Sequence, residues 1–387
     1  MRAHPMQITR REALEHILKN SSLAITGLLS RPVRFPVFET PTEPAQFERQ
    51  EVKHIAQDFM QKFGAPALSV AIGHNGQIIY LGAFGVPSRD SHEQLTASHT
   101  FRIASATKPF TSVAIFKLIE DGRLKPEDKV FGRLGVLGTT YGRQPYGPEI
   151  EQITIDHLLT HTCGGWDNGV DDPMLSNLEM NHRELISWTL DNRPLKNPPG
   201  KVYAYSNFGY CLLGRVIEKL TAQKYSAHVQ RTIFSLCGIT DMQIAGNTLR
   251  ERATTEVTYY KRGWGNPYGM NVAREDSNGG WIGTPADLAK FAMHVDGVGV
   301  DRRLLKPETV RRMTTPGRNS YYARGWFVDQ TGRMSHGGSL PGCTAMFALT
   351  ADHRSVAALT NTSVEEEDLD AALRDISARV KNGRYGK

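Results

Sequence analysis

The chain has 387 residues, of which 40% are hydrophobic, and a net charge of +6 in which lysine and arginine are interleaved with aspartate and glutamate. This length and hydrophobic content predict a globular protein with a sizeable buried core, in one large domain or two ordinary ones. The mixed charge argues against nucleic acid as a partner, and no apolar run approaches the roughly 20 residues that a membrane-spanning helix needs.

Residues 1–45 predict a segment separate from the body of the protein. Arg10 and Arg11 stand before a short apolar stretch at residues 23–29, a pattern that resembles a twin-arginine export signal. An amphipathic helix is the alternative, because the apolar stretch is short and no small-x-small cleavage site follows it clearly. A proline-rich stretch at residues 31–44 predicts a linker. The sequence therefore leaves localisation open between an exported, periplasmic protein and a cytoplasmic one.

The body of the protein, residues 46–387, begins with a helix and a hairpin. Apolar residues recur at helical spacing over residues 47–59, which predicts an amphipathic helix. Two apolar runs, residues 67–72 and 78–81, flank an Asn-Gly dipeptide that is typical of a two-residue hairpin turn.

The middle of the chain, roughly residues 110–275, predicts a mainly helical lobe. Residues 103–120 are apolar nearly all round, so the helix there is expected to be buried. If Ser105 caps this helix, Ala106 is its first helical residue. Another helix is predicted over residues 284–294, where Thr284 is a capping residue followed by proline.

The C-terminal part predicts short strands and one closing helix. The strands are expected at residues 323–328, 333–338, 343–350 and 355–362. A capping box formed by Ser363 and Glu366 then begins the helix. Because strands from both chain ends flank a helical centre, the simplest fold is α+β, of the α/β sandwich type. It is one antiparallel sheet of about five strands built from both ends, flanked by helices, with the helical lobe inserted.

The chemistry begins at the run Ser105-Ala106-Thr107-Lys108. Two side chains three residues apart on a helix lie on one face, so the lysine amine can reach the serine hydroxyl. The positive end of the helix would also stabilise an oxyanion beside Ser105. Since a Ser-x-x-Lys run is expected by chance in a chain of this length, a capping serine with an exposed lysine is the structural alternative.

Lys108 must lose its proton to act as a base. At the reference pKa of about 10.4, roughly one lysine in 2,500 is neutral at pH 7. Burial on an apolar helix lowers that pKa. A pKa of about 7 would leave half of the amines neutral, which corresponds to roughly 4–5 kcal/mol against the charged form. The apolar residues around it, Phe101, Ile103, Phe110 and Val113, favour such a shift.

Two later motifs follow the first. Tyr205-Ser206-Asn207 precedes a predicted helix, and His336-Gly337-Gly338-Ser339 ends a predicted strand. Together with Ser105 and Lys108, they resemble the serine β-lactamase and penicillin-binding-protein superfamily, in the branch of class C β-lactamases, D-peptidases and related esterases. That pattern is Ser-x-x-Lys, then Tyr-x-Asn, then a triplet headed by lysine or histidine on a strand.

The resemblance implies a mechanism in which Ser105 attacks a carbonyl carbon, while Lys108 and Tyr205 carry its proton to the leaving group. It also implies that Asn207 orients Lys108 and the substrate. The backbone N–H groups of Ser105 and Ser339 would form the oxyanion hole, where the loss of one donor typically costs about 3–4 kcal/mol of transition-state stabilisation.

The third motif departs from the Lys-Thr-Gly of β-lactamases. His336 heads it as a catalytic side chain that is mostly neutral near pH 7, with a reference pKa of about 6.5, and Gly337 offers no hydroxyl. Anchoring of a penicillin-type carboxylate is therefore weakened. The favoured substrate is a carboxylic ester, with D-amino-acid peptides and β-lactams as alternatives. Protonation of His336 predicts that activity falls on the acid side, roughly between pH 5 and 8.

Other classes of protein fit the sequence less well. His157 and His161 stand four residues apart, but Leu158 replaces the glutamate of a His-Glu-x-x-His zinc motif. The four cysteines form no Cys-x-x-Cys pair and are expected to be buried thiols. No metal or cofactor is therefore expected, and the expected partner is a small ester or D-peptide-like substrate. A non-catalytic binding protein on the same fold is the rival class, and the oligomeric state is left open.

Overall fold

The computed structural model describes residues 46–169, 172–317 and 321–381. The predicted export signal and linker of residues 1–45 lie outside these ranges. No helix within them is long and apolar enough to cross a membrane.

Nine α-helices and nine strands form the described part of the chain. The α-helices are α1 (Gln46–Phe63), α2 (Lys108–Glu120), α3 (Ile155–Leu159), α4 (His182–Asn192), α5 (Asn207–Thr221), α6 (Tyr225–Val229), α7 (Pro285–Asp296), α8 (Pro307–Thr314) and α9 (Glu366–Arg379). The strands are β1 (Ala67–His74), β2 (Gln77–Gly85), β3 (Phe101–Arg102), β4 (Gln243–Ile244), β5 (Trp281–Gly283), β6 (Phe327–Val328), β7 (Met334–Leu340), β8 (Cys343–Leu349) and β9 (Arg354–Thr360).

The main sheet is built from strands near both ends of the described chain. Its six strands lie in the order β2-β1-β9-β8-β7-β6, and every neighbouring pair is antiparallel. A second, three-stranded sheet has the order β3-β5-β4. The expected α+β architecture is thus confirmed. Strand β6, at the edge of the main sheet, is shorter than the predicted strand 323–328. Ala323 N–H donates to Trp326 O at 2.8 Å in a turn, so only Phe327 and Val328 pair with β7.

Helices cover both faces of the main sheet. Alternate residues of a strand point to opposite faces, so each strand contributes apolar side chains to both sides. Leu68, Val70 and Ile72 of β1 pack with apolar residues of α1 and α9. Ala357 and Leu359 of β9 instead join the larger cluster, which includes apolar residues of α7 and α2. Helices on the two sides of one sheet form the predicted sandwich, and α2 carries Lys108 into its core.

The segment that carries Ser105 is tighter than predicted. Ala104–Thr107 is a 3₁₀ turn, and α2 begins at Lys108. The prediction that Ser105 caps the helix is wrong, because Thr107 is the N-cap residue and makes no capping hydrogen bond. The chain enters the turn at Ala104 with a φ of 47°, a conformation that costs about 1–3 kcal/mol for a residue other than glycine. The Ser105 hydroxyl is thereby left for contacts outside its own helix.

The start of α9 also differs from the prediction. Glu365 is the N-cap residue and no side chain caps the helix, so the predicted capping box of Ser363 and Glu366 is wrong. Ser363 Oγ instead accepts a hydrogen bond from Gly342 N–H at 2.9 Å. Glu366 turns toward β7 and places its carboxyl group beside Gly337 of the third motif.

Candidate active site

Ser105 lies against the middle of β7. A Cβ atom on Gly338 would stand 2.4 Å from Ile103 O and 2.6 Å from Ser105 N, so only glycine lets the strand approach the backbone of Ser105 this closely. On its outer edge, β7 pairs with β6 only up to Ser335. Beyond Ser335 this edge has no strand partner in the described chain. Its free backbone N–H groups are available to stabilise an oxyanion next to Ser105.

Lys108 is fully buried below Ser105 and contacts three oxygen atoms. Its Nζ lies 2.9 Å from Ser105 Oγ, 2.8 Å from Asn207 Oδ1 and 2.9 Å from Asn278 O. The amide and carbonyl oxygens can only accept hydrogen bonds. A neutral amine therefore gives its two N–H groups to Asn207 and Asn278 and presents its lone pair to the Ser105 hydroxyl. That arrangement is the one a general base needs.

Burial lowers the pKa of Lys108 to about 7. The negative charges of Glu275, Asp172 and Glu366 oppose this shift without cancelling it. At pH 7 about half of the amines are then neutral, compared with roughly one in 2,500 for an unperturbed lysine. The apolar surroundings of α2 thus supply the property that the Ser-x-x-Lys spacing by itself does not guarantee.

Asn207, the first residue of α5, is held in one orientation. Ser206 caps the helix by accepting a hydrogen bond from Gly209 N–H at 3.0 Å. The Asn207 Nδ2 group donates to Asp172 Oδ2 at 3.0 Å. Because a carboxylate only accepts hydrogen bonds, this contact places the Asn207 amide oxygen toward Lys108.

A second carboxyl group, that of Glu275, lies buried near Lys108. It accepts a hydrogen bond from Asn278 Nδ2, and burial raises its pKa to about 8. Burial also raises the pKa of Asp172. Acids with raised pKa values beside an amine with a lowered one are typical of a site that transfers protons. Neither acid was expected from the sequence, because both stand outside the three motifs.

Tyr205 lies beside Lys108 and close to Ser105. Lys108 Nζ lies 4.9 Å from the centre of the Tyr205 ring, and the Ser105 side chain acts on the pKa of the Tyr205 hydroxyl. Burial raises that pKa well above its usual range, so the phenol stays protonated. Ser105 Oγ therefore has an amine at 2.9 Å and a phenol nearby.

His161 holds the segment that carries Tyr205. The two rings lie 4.2 Å apart, centroid to centroid. The His161 carbonyl oxygen accepts from Ala204 N–H at 2.8 Å, and His161 Nδ1 accepts from Ser206 N–H at 3.0 Å. Burial keeps the pKa of His161 well below its usual range, so the ring is neutral with its proton on Nε2. These contacts make His161 a positioning residue for Tyr205.

His336 is buried, and its ring nitrogens contact other groups than Ser105. Its Nδ1–H donates to Gly337 O at 2.6 Å, and its Nε2 lies 3.4 Å from the Tyr322 hydroxyl. Burial lowers the pKa of His336 to about 3. The expectation that it titrates roughly between pH 5 and 8 is therefore wrong. The ring lies near Tyr205 and Tyr322, where it forms part of the aromatic wall of the site.

The third motif is joined by an acid from α9. A Cβ atom on Gly337 would lie 1.9 Å from Glu366 Oε2, so this carboxyl group fills the room that the glycine leaves. The Ser339 side chain points to the same face of β7 as the Gly337 position, and partial burial raises the pKa of Glu366 to about 7. From the sequence alone, Glu366 was expected in a capping box. The signal that could have revealed its place is Gly337, whose missing side chain leaves space for another group.

The side chains around Ser105 form two layers. The outer layer is partly exposed and consists of Ser105, Tyr205, Asn207, Ser339 and Glu366. Lys108 and His336 are buried beneath it. The structure thus brings the three motifs together around Ser105. It places Lys108 within hydrogen-bond distance of both Ser105 and Asn207. The Tyr205 ring lies 4.9 Å from Lys108 Nζ, whereas the ring nitrogens of His336 contact other groups.

Comparison with known proteins gives relatives for most of the chain. The family model described as Beta-lactamase matches residues 52–380. Protein flp of Staphylococcus aureus strain N315 is 29% identical over 181 residues, which are 47% of this chain and 35% of that protein. The match thus spans about a third of flp. The putative penicillin-binding protein PbpX of Bacillus subtilis strain 168 is 24% identical over 328 residues, 83% of this chain and 78% of that protein.

Two solved structures share the fold. The D-amino acid amidase from Ochrobactrum anthropi SV3, complexed with L-phenylalanine amide, aligns with a TM-score of 0.71 at 22% identity, over 88% of this chain and 100% of that one. The octameric penicillin-binding protein homologue from Pyrococcus abyssi aligns with a TM-score of 0.68 at 23% identity, over 84% of this chain and 77% of that one. At these identities the likeness establishes the fold alone.

Proposed function

The chain belongs to the beta-lactamase family, and we propose that it is a serine hydrolase that cleaves ester or amide bonds through an acyl-enzyme on Ser105. The observation that carries the proposal is the environment of Lys108. Its Nζ lies 2.9 Å from Ser105 Oγ, its other two partners are acceptors only, and its pKa is about 7. A buried amine in this state is a base aimed at the serine hydroxyl.

The reaction begins when Ser105 Oγ bonds to the carbonyl carbon and its proton passes to Lys108 Nζ. The carbonyl oxygen becomes an oxyanion that accepts hydrogen bonds from the N–H groups of Ser105 and Ser339. The bond to the leaving group then breaks, and the leaving atom takes the proton from Lys108 through the Tyr205 hydroxyl. Water next attacks the acyl carbon and gives a proton back along the same route. Ser105 Oγ regains a proton as the carboxylic acid departs.

We place carboxylic esters first among the substrates. A penicillin-type carboxylate finds little attraction here, because His336 is neutral, Gly337 has no hydroxyl, and Glu366 repels an anion when ionised. Amides of D-amino acids are the second candidate. The O. anthropi D-amino acid amidase shares the fold, and Glu366 offers a partner for a substrate amine.

The test compares rates on a short-chain nitrophenyl ester, a D-alanine amide and a chromogenic cephalosporin, with Ser105→Ala as the control. We expect turnover of the ester, the slowest rate on the cephalosporin, and no turnover by the variant. A phosphonate probe should form an adduct on Ser105. A wild type that gives neither an adduct nor turnover on any activated ester or amide would be a binding protein. A cephalosporin rate far above the ester rate would overturn the substrate assignment.

A further inference from the structure

We infer that Glu366 determines specificity for a substrate that carries a positively charged amine, which its carboxylate binds beside Ser339. The inference rests on the proposed serine-hydrolase function and adds a chemical class of substrate. It starts from an asymmetry in the first turn of α9. Glu365 and Glu367 are exposed, whereas Glu366 turns inward over Gly337.

The carboxylate of Glu366 has capacity for a ligand. A carboxylate has about four acceptor sites, and the Ser339 hydroxyl is the neutral side chain that stabilises the charged form of Glu366. Other acids of α9 are paired, as Asp370 is with Arg374 at 2.9 Å. No lysine, arginine or histidine in the described ranges forms an ion pair with Glu366. Its side chain is partly exposed, as that of Ser105 is, so a cation can reach it from solvent.

Glu366 is the acid among the partly exposed side chains around Ser105. The other members of this set are uncharged, namely Ser105, Tyr205, Asn207 and Ser339. The titratable groups behind them are buried and adjoin one another, namely Lys108, Asp172 and Glu275. An ionised Glu366 therefore repels a substrate carboxylate and attracts an ammonium group.

The position of Glu366 on β7 limits where the amine sits on the substrate. Gly337 and Gly338 are consecutive, so their side-chain positions point to opposite faces of β7, toward Glu366 Oε2 and Ser105 N respectively. At most roughly 11 Å separates the carboxylate from this N–H group. Beyond Ser335 the outer edge of β7 has no strand partner in the described chain, so a substrate can reach both groups around this edge. The amine therefore lies on a short arm next to the scissile carbonyl, on the acyl side or on the leaving side.

The experiment uses two pairs of substrates that differ only in the cation. D-alanine 4-nitroanilide against propionyl 4-nitroanilide places the amine on the acyl side. Butyrylthiocholine against its uncharged 3,3-dimethylbutyl analogue places it on the leaving side. We expect the wild type to prefer the cation in one pair by roughly ten- to a hundredfold in kcat/KM. Glu366→Gln should bring that ratio close to one, because kcat/KM for the cation falls far more than kcat/KM for the neutral substrate. Asp375→Asn, which removes an exposed acid farther along α9, should leave the ratio unchanged.

Three outcomes would overturn the inference. They are a wild type without preference, a preference that survives Glu366→Gln, and an equal loss on both members of a pair. Gly337→Ser is the second variant, since its Cβ would displace the carboxyl group, and it should also lose the preference. Melting temperatures of all variants verify that they are folded.

Equilibrium binding separates this inference from the proposed function. If the wild type hydrolyses none of the four substrates and forms no phosphonate adduct, the hydrolase proposal fails. Calorimetry then compares n-butylammonium with n-butanol. Tighter binding of the cation that is lost in Glu366→Gln would support the amine subsite. Equal binding of the two molecules by the wild type would reject it.

Discussion

Lys108→Met is expected to abolish turnover and to change how stability depends on pH. Methionine keeps a long apolar stem and removes the amine. In the wild type, burial lowers the folded-state pKa of Lys108 from 10.5 to about 7. Between these values the unfolded chain binds a proton that the folded chain has released. The free energy of unfolding therefore rises with pH across this window, and Lys108 contributes no such slope below about pH 7.

The size of the effect follows from linkage. Each pH unit inside the window corresponds to about 1.4 kcal/mol. Between about pH 7.5 and 9.5, the free energy of unfolding should rise by about 3 kcal/mol more in the wild type than in the variant. Glu275 and Glu366, whose pKa values are raised to about 8 and about 7, are present in both proteins. Because Lys108 lowers the pKa of both acids, the comparison measures the lysine together with its electrostatic coupling to them.

Urea unfolding of both proteins at the two pH values measures this difference. Ser105→Ala serves as the control, because it removes activity while keeping the lysine, and it should retain the wild-type pH dependence. If Lys108→Met and the wild type show the same pH dependence, Lys108 is not a neutral amine in the folded protein. The assignment of Lys108 as the base would then be refuted.

Three further outcomes are expected. Ester turnover by the wild type should rise about tenfold in kcat/KM between pH 6 and 8, since the neutral fraction of Lys108 grows through a pKa of about 7; a profile flat from pH 5 to 8 would contradict this. Gly338→Ala should lower kcat/KM by at least about a hundredfold, because its Cβ would press on the backbone around Ser105. Gly147→Ala, which adds a Cβ in open space, is its control, and equal activity of the two variants would count against the close approach. His161→Ala should lower kcat by about ten- to a hundredfold with little change in KM, since Tyr205 loses its support; an unchanged kcat would reject a positioning role.

Signals between near neighbours in sequence predicted much of the fold. The hairpin of β1 and β2 follows from an Asn-Gly turn between two apolar runs. Thr284 caps α7 as predicted, because it accepts a hydrogen bond from Asp287 N–H at 3.2 Å. Ser105 and Lys108 meet because they stand three residues apart along one helical turn. In each case the contact depends on a few consecutive residues, which the sequence displays directly.

Contacts between distant segments could not be predicted in this way. Ser363 and Glu366 have the spacing of a capping box. In the folded chain, Ser363 Oγ instead accepts from Gly342 N–H, and the Glu366 carboxyl group lies beside Gly337. The pKa of His336 could not be predicted because it is lowered by burial, which depends on how several separate elements pack. Asp172 and Glu275 reach Lys108 from loops that carry no motif. Their influence on its pKa emerges only from the folded arrangement.

A ribosome making this chain releases β1 long before its partner β9 exists. The Thr360 hydroxyl donates to Ala67 O across 293 residues of sequence. Until β9 emerges, one edge of β1 stays unpaired and can associate with other chains. Closing so long a loop is also slow. An arrested chain that ends before β7 carries Ser105 and Lys108 but lacks the strand that completes the site. We expect such a chain to depend on chaperones or to be degraded.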